Sequence, residues 1–205
     1  MNHTKHYSLL LKRNRELKKA LLPQKRSPTG NYKNSTYERA LGYKLLIHAE
    51  LEYYFEEVTK SIIKKAKDNW DNQHEATPTL VALMAYCTKS FVSIPERTTD
   101  QHASVDLYER VNTAYTEHHK YISASNHGIK EKNILSLFLP VGVTINEIDN
   151  NLLIALDSFG SERGVIAHQT KAQQCLTPDD VEASVNNILA LLESFDEKIA
   201  KDYHI

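Results

Sequence analysis

The chain is poor in the residues that build turns and cross-links, with 6 Gly, 6 Pro and 2 Cys in 205 positions. So little Gly and Pro disfavours a turn-rich all-β fold. Cys87 and Cys175 show no CxxC spacing, which argues against a disulfide framework and a zinc-thiolate site, so we interpret both as small core residues. No apolar run approaches the roughly 20 residues that cross a bilayer, and none has a signal-peptide layout. We therefore expect a cytoplasmic protein without a membrane partner.

What the sequence does have is helical periodicity over most of its length. With 41% hydrophobic and 25% charged residues, it has the composition of a globular protein. We predict an all-α bundle of about six or seven helices, because no segment shows the alternation typical of strands. A basic helix is predicted at 7–22, and the seven that follow it cover residues 36–69, about 77–94, 105–125, 131–139, 146–159, a segment from 161, and a last helix from 177.

Residues with known capping preferences set the predicted helix boundaries. Ser35 and Glu38 have the spacing of a capping box. Thr-Pro pairs at 77–78 and 177–178 match the N-cap and first helical position. Gly160 matches a left-handed C-terminal cap, so we predict that a helix ends there.

Charge is unevenly distributed, although the net charge is only −1. Residues 1–39 hold ten Lys or Arg against two Glu, a local charge of +8 that leaves −9 for the remainder. A basic arm on an acidic body suits a polyanion such as RNA. The alternative is a solvated basic helix that packs on a partner protein. We accordingly divide the chain into a basic N-terminal helix and linker, 1–35, and a helical domain, 36–205.

The stretch SERGVIAHQT, 161–170, places Arg163 and His168 five positions apart. About 0.3 such pairs are expected by chance, and Arg97 and His102 repeat the spacing in a polar linker. On one continuous helix, residues five apart differ by about 140° around the axis and about 7.5 Å along it. Either Arg163 lies in a first turn or bend, or two copies of the chain pool their residues at an interface.

RGVIAH resembles the signature of the HEPN superfamily, in which an Arg precedes a His by four to six residues. LLIHAELEYYFEEV and SNHGIKEKNILSLFLPVGV are similar to the first core helix and the pre-catalytic segment of its RiboL-PSP-HEPN branch. The resemblance covers about 36–195, with the basic N-terminus outside it. It implies an all-helical homodimer that acts as a metal-independent endoribonuclease on RNA, as a toxin or phage-defence effector with an antitoxin protein as a further partner. Thr170 replaces a Tyr that is modified in some family toxins, which argues against that mode of antitoxin control.

Arg163 and His168 are residue types that suit RNA cleavage. His168 can act as base or acid, since an imidazole changes protonation near neutral pH. Arg163 stays charged and can bind phosphate oxygens in a bidentate manner. The product would be a 2′,3′-cyclic phosphate. In the alternative reading, the two residues merely link the last core helices of a non-catalytic module that binds a protein or nucleic-acid partner.

Six further residues are weaker candidates. His48 and Glu52, at i and i+4, line the same cleft or form a core hydrogen bond. Asn126 and His127, in the turn at Gly128, either reach the substrate or belong to an ordinary turn. The auxiliary active-site candidates are His48, Glu52, Asn126 and His127, and the nucleic-acid-binding candidates are Lys130 and Lys132.

We predict no metal and no cofactor. His118 and His119 point about 100° apart on a helix, a poor arrangement for shared metal ligation. The sequence contains no Gly-rich phosphate-binding loop.

Overall fold

A computed structural model describes residues 2–87, 107–168 and 176–205, and for residues 162–168 it describes the backbone alone. These residues form seven α-helices and two short 3₁₀ helices, and none of them lies in a strand, which confirms the all-α prediction. Pro95, Arg97, His102, Thr170 and Cys175 lie outside the described residues. The helices are α1 Lys5–Leu21, α2 Asn34–Gln73, α3 Pro78–Cys87, α4 Leu107–Ala124, α5 Glu131–Phe138, α6 Asn150–His168 and α7 Pro178–Tyr203, with 3₁₀ turns at Leu139–Val141 and Ile145–Glu147.

Helix α2 is the centre of the bundle, since each of the other six helices contacts it. Tyr43, Ile47, Leu51 and Phe55 are fully buried along it. A helix surrounded by neighbours buries more than one face. Leu41 and Leu45 are only partly buried.

Helix α1 packs against α2 and belongs to the same core. Tyr7, Leu10 and Leu17 are at most 5% exposed. Thr4 caps the helix, because its hydroxyl accepts a hydrogen bond from the Tyr7 amide at 3.1 Å. The domain boundary at residue 35 remains a prediction.

Both predicted Thr-Pro helix starts are confirmed. The Thr77 hydroxyl accepts from the Leu80 amide at 3.2 Å. Thr177 forms a capping box with Asp180. On α7, six apolar side chains recur at alternating steps of four and three, and all six are buried. They are Val181, Val185, Ile188, Leu192, Phe195 and Ile199.

The capping box predicted at Ser35 is wrong. Helix α2 begins at Asn34, and its N-cap residue is Lys33, whose side chain makes no capping hydrogen bond. The Thr36 and Tyr37 amides both donate to the Lys33 carbonyl. Ser35 therefore lies inside the first turn.

The helix end predicted at Gly160 is also wrong, because α6 continues through Gly160 to His168. A Cβ at Gly160 would lie 3.1 Å from Lys130 Cγ, 3.6 Å from Ile129 Cγ1 and 3.8 Å from His48 Nε2. The glycine thus permits close approach of α6 to α2 and to the turn before α5. Sequence alone does not separate this use of glycine from a helix stop.

None of the described helices combines the length and apolar character that crossing a membrane requires.

Candidate functional site

Three polar residues, Lys44, His48 and Glu52, follow one another at steps of four on α2, and we call them the α2 polar stripe. Lys44 and His48 are 3% and 2% exposed. His48 Nδ1 lies 3.7 Å from Glu52 Oε2, and the Glu52 side chain is largely covered. Ionisable groups are seldom buried so deeply unless they have partners. Their position on the core helix therefore identifies a polar region inside the bundle.

Helix α6 covers this stripe at Phe159 and Gly160. The His48 imidazole stacks on the Phe159 ring, with centroids 6.4 Å apart and planes inclined by 10°. Lys44 Nζ lies 4.9 Å from the centroid of the same ring, within the range of a cation–π interaction. The predicted candidates His48 and Glu52 thus lie together, and Lys44 joins them. Lys44 is not among the candidates predicted from the sequence, because a Lys on an amphipathic helix is usually solvated, although its position four residues before His48 was a usable signal.

Arg163 and His168 lie on the last turns of α6, and their side chains are outside the described residues. Since α6 begins at Asn150, Arg163 does not lie in the first turn of a helix, and that part of the prediction is wrong. Leu152, Leu156 and Phe159 form a buried stripe at steps of four and three, and residue 163 takes the next step of four. The backbone of Arg163 therefore lies one turn beyond Phe159, in register with the face packed on α2. The backbone of His168 lies about 140° around the axis from it.

Asn126 is 3% exposed and takes part in a structural network. Its amide nitrogen donates to Glu56 Oε1 at 3.0 Å, and its oxygen accepts from Asn133 Nδ2 at 3.1 Å. It thereby ties the turn at Gly128 to α2 and α5. His127, its neighbour, is exposed. The structure separates these two candidates into one buried and one accessible residue.

The two candidate lysines lie in different surroundings. Lys130 is exposed, and its alkyl chain passes over Gly160, next to His48. Lys132 lines a groove of about 720 Å³ that also borders His118 and Asp157. Only Lys130 is therefore brought close to the α2 polar stripe.

His118 is a core residue. It is 3% exposed, and its ring Nε2 lies 3.1 Å from the Leu137 carbonyl oxygen. Burial lowers the pKa of His118 to about 4, so the ring is neutral at physiological pH. A neutral ring at this distance donates its Nε2 proton to the carbonyl.

Part of the basic N-terminal charge is paired within the molecule. Arg13 contacts Glu50 at 3.0 Å and Glu16 at 3.3 Å. Lys18 and Arg26 both form ion pairs with Glu182 of α7. The acidic body thus neutralises some of the positive arm, and less of it faces outward than the sequence alone suggests.

A sequence profile of the RiboL-PSP-HEPN family matches residues 8–201. The match begins inside α1, so the extent of 36–195 inferred from the sequence was too short. No curated protein and no solved structure was found to match the chain. The family match spans nearly the whole helical bundle and includes both the α2 polar stripe and the helix that carries Arg163 and His168. The chain therefore belongs to the RiboL-PSP-HEPN family of the all-helical HEPN superfamily.

Proposed function

We propose that the protein is a metal-independent endoribonuclease that cleaves RNA to a 2′,3′-cyclic phosphate, with Arg163 and His168 as catalytic residues. Family membership supports a general role as an RNase or nucleotide-related module. The register of α6 supports the specific proposal that Arg163 takes part in cleavage. Residue 163 continues the stripe of Phe159, the residue that stacks on His48.

The reaction needs a base, an acid and a cation. His168 of one subunit accepts the proton of the 2′-hydroxyl, whose oxygen attacks phosphorus while the bond to the 5′-oxygen breaks. A second His protonates that leaving oxygen. Arg163 stabilises the negative charge on the non-bridging oxygens. The products are a 2′,3′-cyclic phosphate and a free 5′-hydroxyl, and no water is consumed.

Two copies of the chain are required in this proposal. Positions 163 and 168 lie about 140° apart on a continuous helix, so one helix does not present both to one face. A two-fold axis beside the end of α6 would bring two Arg and two His around one cleft. The α2 polar stripe then supports that cleft from behind, and Lys130 and His127 are candidates for contact with RNA. Lys132 remains a weaker candidate, since it lines the groove beside Asp157.

The decisive experiment compares cleavage of total RNA, with EDTA present, by wild type, Arg163→Ala and His168→Ala. We expect wild type to release fragments that end in cyclic phosphate, and each variant to lose at least about a hundredfold in rate. The chain offers a matched control, since Arg97→Ala with His102→Ala removes a pair of identical spacing. Equal cleavage by all proteins would sink the proposal. RNA binding by wild type without cleavage would instead favour the non-catalytic module.

Subunit mixing tests the shared cleft. If both His residues of a dimer act in one reaction, a mixed dimer of wild type and His168→Ala is inactive. Co-refolding equal amounts should then leave about a quarter of the activity of the same total amount of wild type, whereas independent sites would leave about half. Retention of about half of the activity would refute the proposal that the His168 residues of both subunits act in one reaction.

We further propose that the cleavage serves as a toxin or phage-defence effector, held in check by an antitoxin protein. Expression in a bacterial host should then arrest growth, and Arg163→Ala should abolish the arrest while remaining soluble. Growth arrest that persists unchanged in Arg163→Ala would separate toxicity from RNA cleavage.

A further inference from the structure

We propose that His3, Glu193 and Glu197 form a site for a divalent transition-metal ion, such as Zn²⁺, that fastens the N-terminal segment to α7. His3 Nε2 lies 3.7 Å from Glu193 Oε1 and 3.8 Å from Glu197 Oε1. The three ligand atoms all lie within 4.8 Å of one another. Ligands of a tetrahedral zinc ion, each at about 2.0 Å from the metal, are about 3.3 Å apart, so the two distances from His3 need to shorten by about 0.5 Å and the separation of the two glutamate oxygens by at most about 1.5 Å.

The imidazole of His3 also lies beside a third carboxylate, that of Asp196. Its other nitrogen, Nδ1, lies 3.3 Å from Asp196 Oδ2. Nδ1 is buried and makes no hydrogen bond within the described residues, so its contact with Asp196 is an ion-pair contact only. The ring is further held against Tyr7, with centroids 4.9 Å apart.

Asp196 is itself rigidly held, which distinguishes this site from a loose cluster of surface acids. It is fully buried. Its carboxylate accepts hydrogen bonds from the Thr4 amide at 2.9 Å, the Thr4 hydroxyl at 2.6 Å and the Tyr54 hydroxyl at 2.7 Å. The carboxylate beside His3 therefore has its own position fixed by the fold.

The two glutamates offer free ligand capacity on one face of α7. They are four residues apart, so their side chains project in the same direction. Glu197 Oε1 is buried and accepts no hydrogen bond from any described residue. The Glu193 and His3 side chains are 53% and 26% exposed, which leaves a path for an ion and for a water ligand. One imidazole nitrogen and two carboxylate oxygens suit Zn²⁺, Co²⁺ or Ni²⁺ better than Mg²⁺ or Ca²⁺.

The proposed site departs from the prediction of no metal made from the sequence. That expectation considered cysteines and neighbouring histidines, whereas His3 and Glu193 are separated by almost the whole chain. Only the packing of the N-terminal segment on α7 brings them together.

Zn²⁺ titration of the EDTA-stripped, full-length, untagged chain tests the site by calorimetry. We expect one equivalent to bind to wild type, and at least tenfold weaker binding to His3→Gln, Glu193→Gln and Glu197→Gln. His6→Gln is the matched control, since His6 contacts Ser61 rather than this cluster, and it should bind as wild type does. The visible spectrum of the Co²⁺ complex gives a second readout, which His3→Gln should lose.

Thermal unfolding adds a measurement that does not depend on activity. Zn²⁺ should raise the melting temperature of wild type and of His6→Gln, and leave that of His3→Gln unchanged. Wild type without a bound equivalent, or binding retained in His3→Gln, overturns the proposal. Equal loss in His6→Gln also overturns it, because the ion would then bind elsewhere. None of these results depends on RNA cleavage, so this proposal and the proposed function can fail independently.

Discussion

The imidazole of His48 stacks on the phenyl ring of Phe159, with centroids 6.4 Å apart and planes within 10°. This contact joins α2 to α6 one helical turn before Arg163. The backbone of Arg163, the strongest candidate from the sequence, therefore lies close to a ring contact that the sequence did not predict. Substitutions on either side of it therefore report on the proposed active site without altering Arg163 or His168.

Phe159→Leu should impair cleavage more than it impairs folding. The smaller side chain removes the stack on His48 and the ring beneath Lys44, and it lets α6 shift. We expect at least a tenfold loss in rate, since small displacements of catalytic groups are costly, and a decrease of about 1–3 kcal/mol in the free energy of unfolding. Cyclic-phosphate release and denaturant unfolding measure the two effects.

The matched control is Phe138→Leu, because Phe138 is fully buried but packs on Phe55 and Phe195. It should lose similar stability and keep its activity below the melting transition. If both variants lose activity in proportion to stability, the stack on His48 has no special role in the reaction.

Gly160→Ala should stabilise the protein slightly. Alanine favours a helix interior over glycine by up to about 1 kcal/mol. The added Cβ would crowd only Lys130 Cγ, at 3.1 Å, and that side chain is exposed and can move, while Ile129 and His48 stay at ordinary contact distances. We expect a gain of about 0.5 kcal/mol, measured by chemical unfolding.

Gly160→Leu tests the same contact in the opposite direction. A larger side chain cannot fit between α6 and His48, so we expect a loss of about 1–3 kcal/mol. A gain for Gly160→Leu would show that close approach is not what places glycine at this position, whereas a large loss for Gly160→Ala would show that Lys130 does not move aside.

Tyr54→Phe should cost more stability than Tyr43→Phe, although both remove one buried hydroxyl. The Tyr54 hydroxyl donates to the buried carboxylate of Asp196 at 2.7 Å, whereas that of Tyr43 donates to the neutral amide oxygen of Asn14 at 2.6 Å. A hydrogen bond to a charged group contributes about 1.5–3 kcal/mol and a neutral one about 0.5–1.5 kcal/mol. Equal losses in urea unfolding would mean that Asp196 is adequately stabilised by Thr4 alone.

Periodicity predicted the elements of this fold well, and capping residues predicted some of their ends. Thr77 and Thr177 signal helix starts because a side-chain oxygen followed by Pro has few other uses. The prediction that a helix ends at Gly160 was wrong because glycine is favoured both at helix ends and where two helices pack closely. Only the position of the neighbouring helix distinguishes the two cases.

The candidate site could be predicted only in part. His48 and Glu52 were found because their spacing, at i and i+4, places them on one face of α2. Lys44 was missed because lysine is seldom buried. The contact of His3 with α7 has no local signal in the sequence, since it depends on how the ends of the chain pack.

The pH dependence of stability provides a last test, through His118. Its pKa is about 4 in the folded protein and near 6.5 when unfolded, so between these values the unfolded state binds more protons. Stability is therefore complete above about pH 6.5 and falls as the pH decreases toward 4, by at most about 3 kcal/mol. His118→Gln keeps a donor near the Leu137 carbonyl and does not titrate, so its free energy of unfolding should fall less between about pH 7 and about pH 4.5 in denaturant titrations.

Other titrating groups do not obscure this difference. Above pH 4.5 the carboxylate of Glu147, whose pKa is about 2, adds little to the change of stability with pH. His6, whose pKa burial also lowers, contributes equally to both proteins and cancels in the difference. Identical pH profiles for wild type and His118→Gln would mean that His118 is readily protonated in the folded state, contrary to its burial.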